Sequence, residues 1–197
     1  MPTLVLMRHG EAGFAARDRA RPLTPRGREE AASQAPAITR VVGDIDVAIV
    51  SEATRTQQTL AALRSAGLAV AQVREEASLY SRGGEGLLEA LHGMDRDGIE
   101  SPVREVDGAE VGAGVDAVLV VGHEPTMSML ARLLASPEKG LPGSRNRARF
   151  RALRGSGAAP ADSFRYGFST AMAVVGHVES WSSLAPGRMR IVDVLRP

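Results

Sequence analysis

Apolar residues fall into two patterns along the chain. Some form short unbroken runs; others recur every three or four positions. The runs are Thr3-Leu4-Val5-Leu6-Met7, Val47-Ala48-Ile49-Val50 and Ala117-Val118-Leu119-Val120-Val121. Runs of this length read as strands buried on both faces, because alternate side chains leave opposite sides of a sheet. Val70–Val73 is a weaker strand, and Ala171–Val175 and Met189–Leu195 supply the last two. Between the runs the period changes. Thr24-Pro25 has the form of a helix start, with Thr24 as N-cap and Pro25 in the first turn. Ala31, Ala35, Ile38 and Val42 follow at helical spacing, and Pro36 among them predicts a kink or a break. Further helices are expected over Thr54–Ala66, over residues 85–92, and after Thr126. The apolar face of that last helix would be Met127, Leu130, Leu133 and Leu134.

Strands alternating with helices predict a single α/β domain over residues 1–197, with helices on both faces of a mostly parallel central sheet. The Gly-, Asp- and Glu-rich residues 93–115 and the Gly-, Pro- and Arg-rich residues 136–165 read as surface loops or insertions. At 197 residues the chain can bury a core without staples. It contains no cysteine, which excludes disulfides, thiolate metal sites and a cysteine nucleophile. No apolar run approaches a membrane span, and Arg8-His9 interrupts the first run before it could serve as a signal peptide. A soluble, cytoplasmic protein with no membrane partner is expected.

Charge narrows the partners. There are 24 basic and 23 acidic residues, a net charge of +1, so no global attraction to nucleic acid is expected. Lys139 is the sole lysine. Arginine is thus informative by position, not by abundance. The densest basic segment, Arg145–Arg154, has Phe150 alone for stacking on a base and reads as a solvated insertion.

Three strand-to-helix junctions carry ionisable side chains: Arg8-His9-Gly10-Glu11, Ser51-Glu52-Ala53-Thr54-Arg55-Thr56 and Gly122-His123-Glu124. In a parallel sheet such junctions share the carboxyl-terminal edge, where ligands bind. Arg8, His9, Arg55 and His123 could therefore converge. Forked guanidinium donors match phosphate oxygens, and a neutral imidazole can attack phosphorus. Glu11 could hold His9 or Arg55, or be a partly exposed charge. Glu124 could orient a ligand or favour the following helix. His92 and His177 belong to no such junction; the first is expected at the surface and the second in a structural role. The four histidines lack metal-ligand spacing.

Arg8-His9-Gly10-Glu11 after an N-terminal strand resembles the signature of the histidine phosphatase superfamily, the phosphoglycerate-mutase-like group. Leu23-Thr24-Pro25-Arg26-Gly27, Ser51 through Thr59, and Gly122-His123-Glu124-Pro125 resemble its later motifs, in family order. The short chain and Arg21-Pro22-Leu23-Thr24 make it most similar to the SixA-type phosphohistidine phosphatases. The resemblance implies that His9 is the nucleophile and forms a phosphohistidine intermediate. It implies that Arg8, Arg55 and His123 bind the phosphoryl group, with Arg21 as a further contact. Asp18 matches the position suggested for the proton donor, since Ala77-Ser78-Leu79-Tyr80 lacks the glutamate of larger relatives. No metal and no cofactor are implied. The implied substrate is a phosphorylated protein. Two alternatives are a phosphomonoesterase acting on a small sugar, nucleotide or cofactor-precursor phosphate, and a phosphate-binding regulatory module without turnover.

Overall fold

The buried runs do form the middle of a sheet. In the computed structural model, which describes residues 1–95, 103–106, 109–112, 114–135, 164 and 166–197, the first run is strand β1 (Thr3–Arg8). Helix α1 (Pro25–Val42) follows, then β2 (Ile45–Val50), α2 (Thr54–Ser65) and β3 (Val70–Glu75). Two helices come next, the four-residue α3 (Ser78–Ser81) and α4 (Gly83–His92). Strands β4 (Val103–Val106) and β5 (Ala109–Gly112) precede β6 (Ala117–Gly122) and α5 (Thr126–Ala135). Strands β7 (Ala173–Val178) and β8 (Met189–Leu195) complete the order.

The main sheet runs β3-β2-β6-β1-β7-β8. Strands β3, β2, β6 and β1 are parallel; β7 pairs antiparallel with β1, and β8 pairs antiparallel with β7 at the sheet edge. Leu4 and Leu6 face one layer with Val118 and Val120, against Leu87, Leu91, Met127 and Leu130 of α4 and α5. Val5 and Met7 face the other with Leu119 and Val121, against Ala35, Ile38, Leu60 and Leu63 of α1 and α2. The pleat explains why adjacent residues of one run serve both cores. Among the described residues no helix is long and apolar enough to cross a membrane.

Four local expectations change. Helix α1 continues through Pro36 without a break. Pro36 is exposed, so the carbonyl it leaves unbonded one turn earlier can turn to water. In α5 the buried apolar positions are Met127, Leu130, Ala131 and Leu134, whereas Leu133 is 43% exposed. The register i, i+3, i+4, i+7 selects Ala131 over the larger Leu133. Residues 93–115 contain more than loop. A 3-10 turn at Gly93–Asp95 buries Met94, and β4 and β5 form an antiparallel pair. His92 is half-buried, with Nε2 2.7 Å from the Leu184 carbonyl. Arg145–Arg154, and residues 136–163 of the predicted irregular stretch, lie outside the described residues.

Candidate active site

Register places the three junctions together. Arg8 pairs with Gly122 across β1 and β6, and Val50 pairs with Val121 across β2 and β6. The chain leaves each strand at the same sheet edge, so His9, Ser51 and His123 become neighbours. The His9 and His123 rings lie 5.3 Å apart between centroids. A cavity of about 330 Å³ opens there, lined by Arg8, His9, Arg21, Arg55 and His123. Glu11, Glu124 and Thr170 also reach it.

Backbone bonds fix His9: its N–H donates to the Gly122 carbonyl, and its own carbonyl accepts from Ala171. Nδ1 lies 2.7 Å from the Gly10 carbonyl. A carbonyl can only accept, so Nδ1 carries the hydrogen and Nε2 keeps the lone pair. Burial lowers the His9 pKa to about 4, with Arg55, Arg8 and Arg21 pushing the same way against the Gly10 bond. Burial, then Arg55 and His9, bring His123 to about 4 as well. Both rings are neutral at pH 7.

The turn after His9 is held by close packing. A Cβ on Gly10 would lie 2.3 Å from the Gly27 carbonyl oxygen, and one on Gly27 would lie 2.0 Å from that of Glu11. The two glycines thus let the Arg-His-Gly turn seat against the first turn of α1. Gly10 N–H donates to Thr59 Oγ1 at 3.1 Å, and that hydroxyl donates to the Arg55 carbonyl at 2.7 Å. The Arg55-x-x-x-Thr59 spacing, one helical turn, joins the first junction to the second.

The arginines are anchored differently. Arg8 donates from one terminal nitrogen to the Phe168 carbonyl at 2.6 Å, while its buried Nε has no partner among the described residues. Arg55, buried in the first turn of α2, donates to the Asp18 carbonyl at 2.7 Å and to Asp18 Oδ2 at 3.0 Å. Arg21 donates to the Gly13 carbonyl at 2.8 Å and to Asp18 Oδ1 at 3.3 Å.

Five of the six candidate residues therefore line one cavity. Asp18 does not; it sits among Arg55, Arg21 and the Tyr80 hydroxyl, which donates to Oδ2 at 2.7 Å. The Tyr80 bond first, then those from Arg55 and Arg21, hold the Asp18 carboxyl down at about 2. Both carboxylate oxygens are thereby engaged by donors, Oδ2 by Tyr80 and Arg55 and Oδ1 by Arg21. The two glutamates at the cavity are occupied as acceptors. Glu11 accepts from Thr24 Oγ1 at 2.9 Å, and Glu124 accepts from Ser128 N–H and Oγ at 3.1 and 2.6 Å. Glu124 thus secures the first turn of α5.

Sequence reasoning gave no role to Ser51, Thr59, Tyr80 or Thr170. Ser51 Oγ lies 2.9 Å from His123 Nε2, whereas His123 Nδ1 is buried without a partner among the described residues. Ser51 and Thr59 stand inside the quoted motif, so their positions were visible and their contacts were not. Among the described residues no group of three or more His, Asp and Glu is arranged to hold a metal ion.

The profile of the histidine phosphatase superfamily (branch 1) matches residues 4–80. An uncharacterised protein of Mycobacterium tuberculosis is 30% identical over 192 residues, 94% of this chain and 96% of that protein. A SixA protein of Nakamurella multipartitia, named as a proposed phosphohistidine phosphatase, is 31% identical with a TM-score of 0.72, covering 100% of this chain and 96% of its own. A protein histidine phosphatase SixA in complex with tungstate shares the fold at 19% identity and a TM-score of 0.67, covering 98% of this chain and 96% of its own.

Proposed function

The chain belongs to the histidine phosphatase superfamily, and on that premise we propose that it is a protein phosphohistidine phosphatase acting through a phosphoenzyme on His9. His9 Nε2 attacks phosphorus and forms a P–N bond as the bond to the leaving group breaks. The hydrogen stays on Nδ1, which keeps donating to the Gly10 carbonyl, and that dipole stabilises the positive charge the ring acquires. Arg8, Arg21, Arg55 and His123 surround the transferring oxygens. Water then attacks the phosphohistidine. The P–N electron pair returns to Nε2, and inorganic phosphate leaves with the water's oxygen.

The substrate class rests on one observation: the carboxyl groups around His9 are already engaged as hydrogen-bond acceptors, and Asp18 is held ionised. An alkoxide leaving group needs a proton from the enzyme. A phosphorylated imidazole protonated on its other nitrogen leaves as neutral imidazole and needs none. Asp18 supports the arginines of the site, and a leaving group that departs as neutral imidazole does not depend on it for a proton. The SixA relative of Nakamurella multipartitia supports the same assignment.

Turnover of a phosphohistidine-bearing carrier domain, p-nitrophenyl phosphate and an alkyl phosphate separates the readings. The expected kcat/KM for the alkyl ester is lower than for phosphohistidine by about 100-fold or more, the contribution typical of a general acid. Equal rates on the alkyl ester would favour a small-molecule phosphomonoesterase. Tight phosphopeptide binding with no phosphate release would favour a regulatory module.

A further inference from the structure

The segment between β1 and α1 folds back on itself, with Ala12 bridged to Leu23 and Gly13 N–H bonded to the Pro22 carbonyl. It carries Asp18, Arg19 and Arg21. A residue 62 positions away fastens it: the Tyr80 hydroxyl donates to Asp18 Oδ2 at 2.7 Å, and Arg19 lies 4.7 Å over the Tyr80 ring. Arg19 also pairs with Glu52 at 2.7 Å. The other side of Tyr80 reaches the second histidine, with its ring edge-on to His123 at 5.5 Å and 89°. Tyr80 does not line the cavity itself.

We propose that Tyr80 is a positioning residue for the oxyanion site, fixing Asp18 so that Asp18 in turn fixes the guanidiniums of Arg55 and Arg21. The inference rests on the phosphoryl-binding role proposed for those arginines. Asp18 Oδ2 is shared by the Tyr80 hydroxyl and Arg55, and Oδ1 takes Arg21. Arg55 spends one hydrogen from each terminal nitrogen on Asp18, which sets the plane of its guanidinium. Three of its five N–H groups remain for an anion. The Asp18 side chain is 50% exposed, so packing does not hold it; the donors do. Tyr80 is the donor among them that does not face the cavity, and it is therefore free to serve the free and the liganded site alike.

Tyr80→Phe keeps the ring against His123 and Arg19 and removes the hydroxyl alone. Three experiments are run on the full chain: the orthophosphate Kd by calorimetry, kcat and KM on p-nitrophenyl phosphate, and the Asp18 carboxyl titration by carbon NMR. The expected result is a Kd and a KM raised about fivefold, the effect of one hydrogen bond to a charged group shared over two arginines, with kcat nearly unchanged. Asp18 titrates above its parent value of about 2. Adding Tyr80→Phe to Asp18→Asn then costs little more than Asp18→Asn alone, because both act through one carboxylate. Parent-like phosphate affinity and an unmoved Asp18 titration would overturn the proposal, as would full additivity of the two changes. A parent without turnover would refute the phosphatase reading and leave the phosphate and Asp18 measurements to decide the role of Tyr80.

Discussion

Two neutral imidazoles 5.3 Å apart, faced by arginines, are a charge arrangement with a pH signature. Burial takes His9 and His123 from 6.5 to about 4 in the folded chain. An unfolded histidine takes up its proton near 6.5. Between those values the unfolded chain binds more protons than the folded one. Stability is therefore fullest above pH 6.5 and declines as pH falls toward 4. Chemical denaturation at pH 7 and pH 5 should show a lower midpoint at pH 5. Imidazole NMR shifts of both residues should stay at their neutral values at pH 5.5; a transition of His9 near 6.5 would contradict the electrostatics described. At this scale the convergence of Arg8, His9 and His123 was legible because they stand at the ends of buried runs, and that of Arg55 because it lies in the junction after the second run. Tyr80 and the true company of Asp18 were not. Their contact spans 62 residues, and neither side chain sits in a periodic pattern.

Elements carry the precision of the site through two glycines and one threonine. A methyl group on Gly27 meets the Glu11 backbone, at 2.0 Å from its oxygen and 2.7 Å from its nitrogen, and neither is a flexible side-chain end. Gly27→Ala should lower unfolding free energy by about 1–3 kcal/mol, the usual cost of overpacking a tight contact. It should also lower turnover, because the displaced turn bears His9. Urea denaturation with parallel kinetics checks both; a stable, fully active Gly27→Ala would show that the turn has slack. Elements buried on both faces were the easiest to read from sequence, as β1, β2 and β6 illustrate. The exceptions have physical causes. Pro36 faces solvent and leaves α1 intact, Leu133 falls outside the buried arc of α5, and β4 and β5 lie in a stretch whose composition resembles loop.

The whole molecule makes the site by inserting β6 between β2 and β1. Strand order of that kind is not written in local periodicity, since β6 lies 67 residues beyond the end of β2 in sequence. What the motifs did convey is that three junctions share one function, and register then brings them to one sheet edge. The central claim is that His9 carries the phosphoryl group. The direct measurement mixes the protein with a phosphohistidine-bearing carrier domain in EDTA, quenches within the first turnovers, and locates the phosphoryl group by mass spectrometry after acid and alkali treatment. The account predicts an acid-labile, alkali-stable phosphoryl group on His9, absent from His9→Ala, and continued turnover without metal. Turnover by His9→Ala at the parent rate, or a phosphoryl group on any other residue, would contradict it.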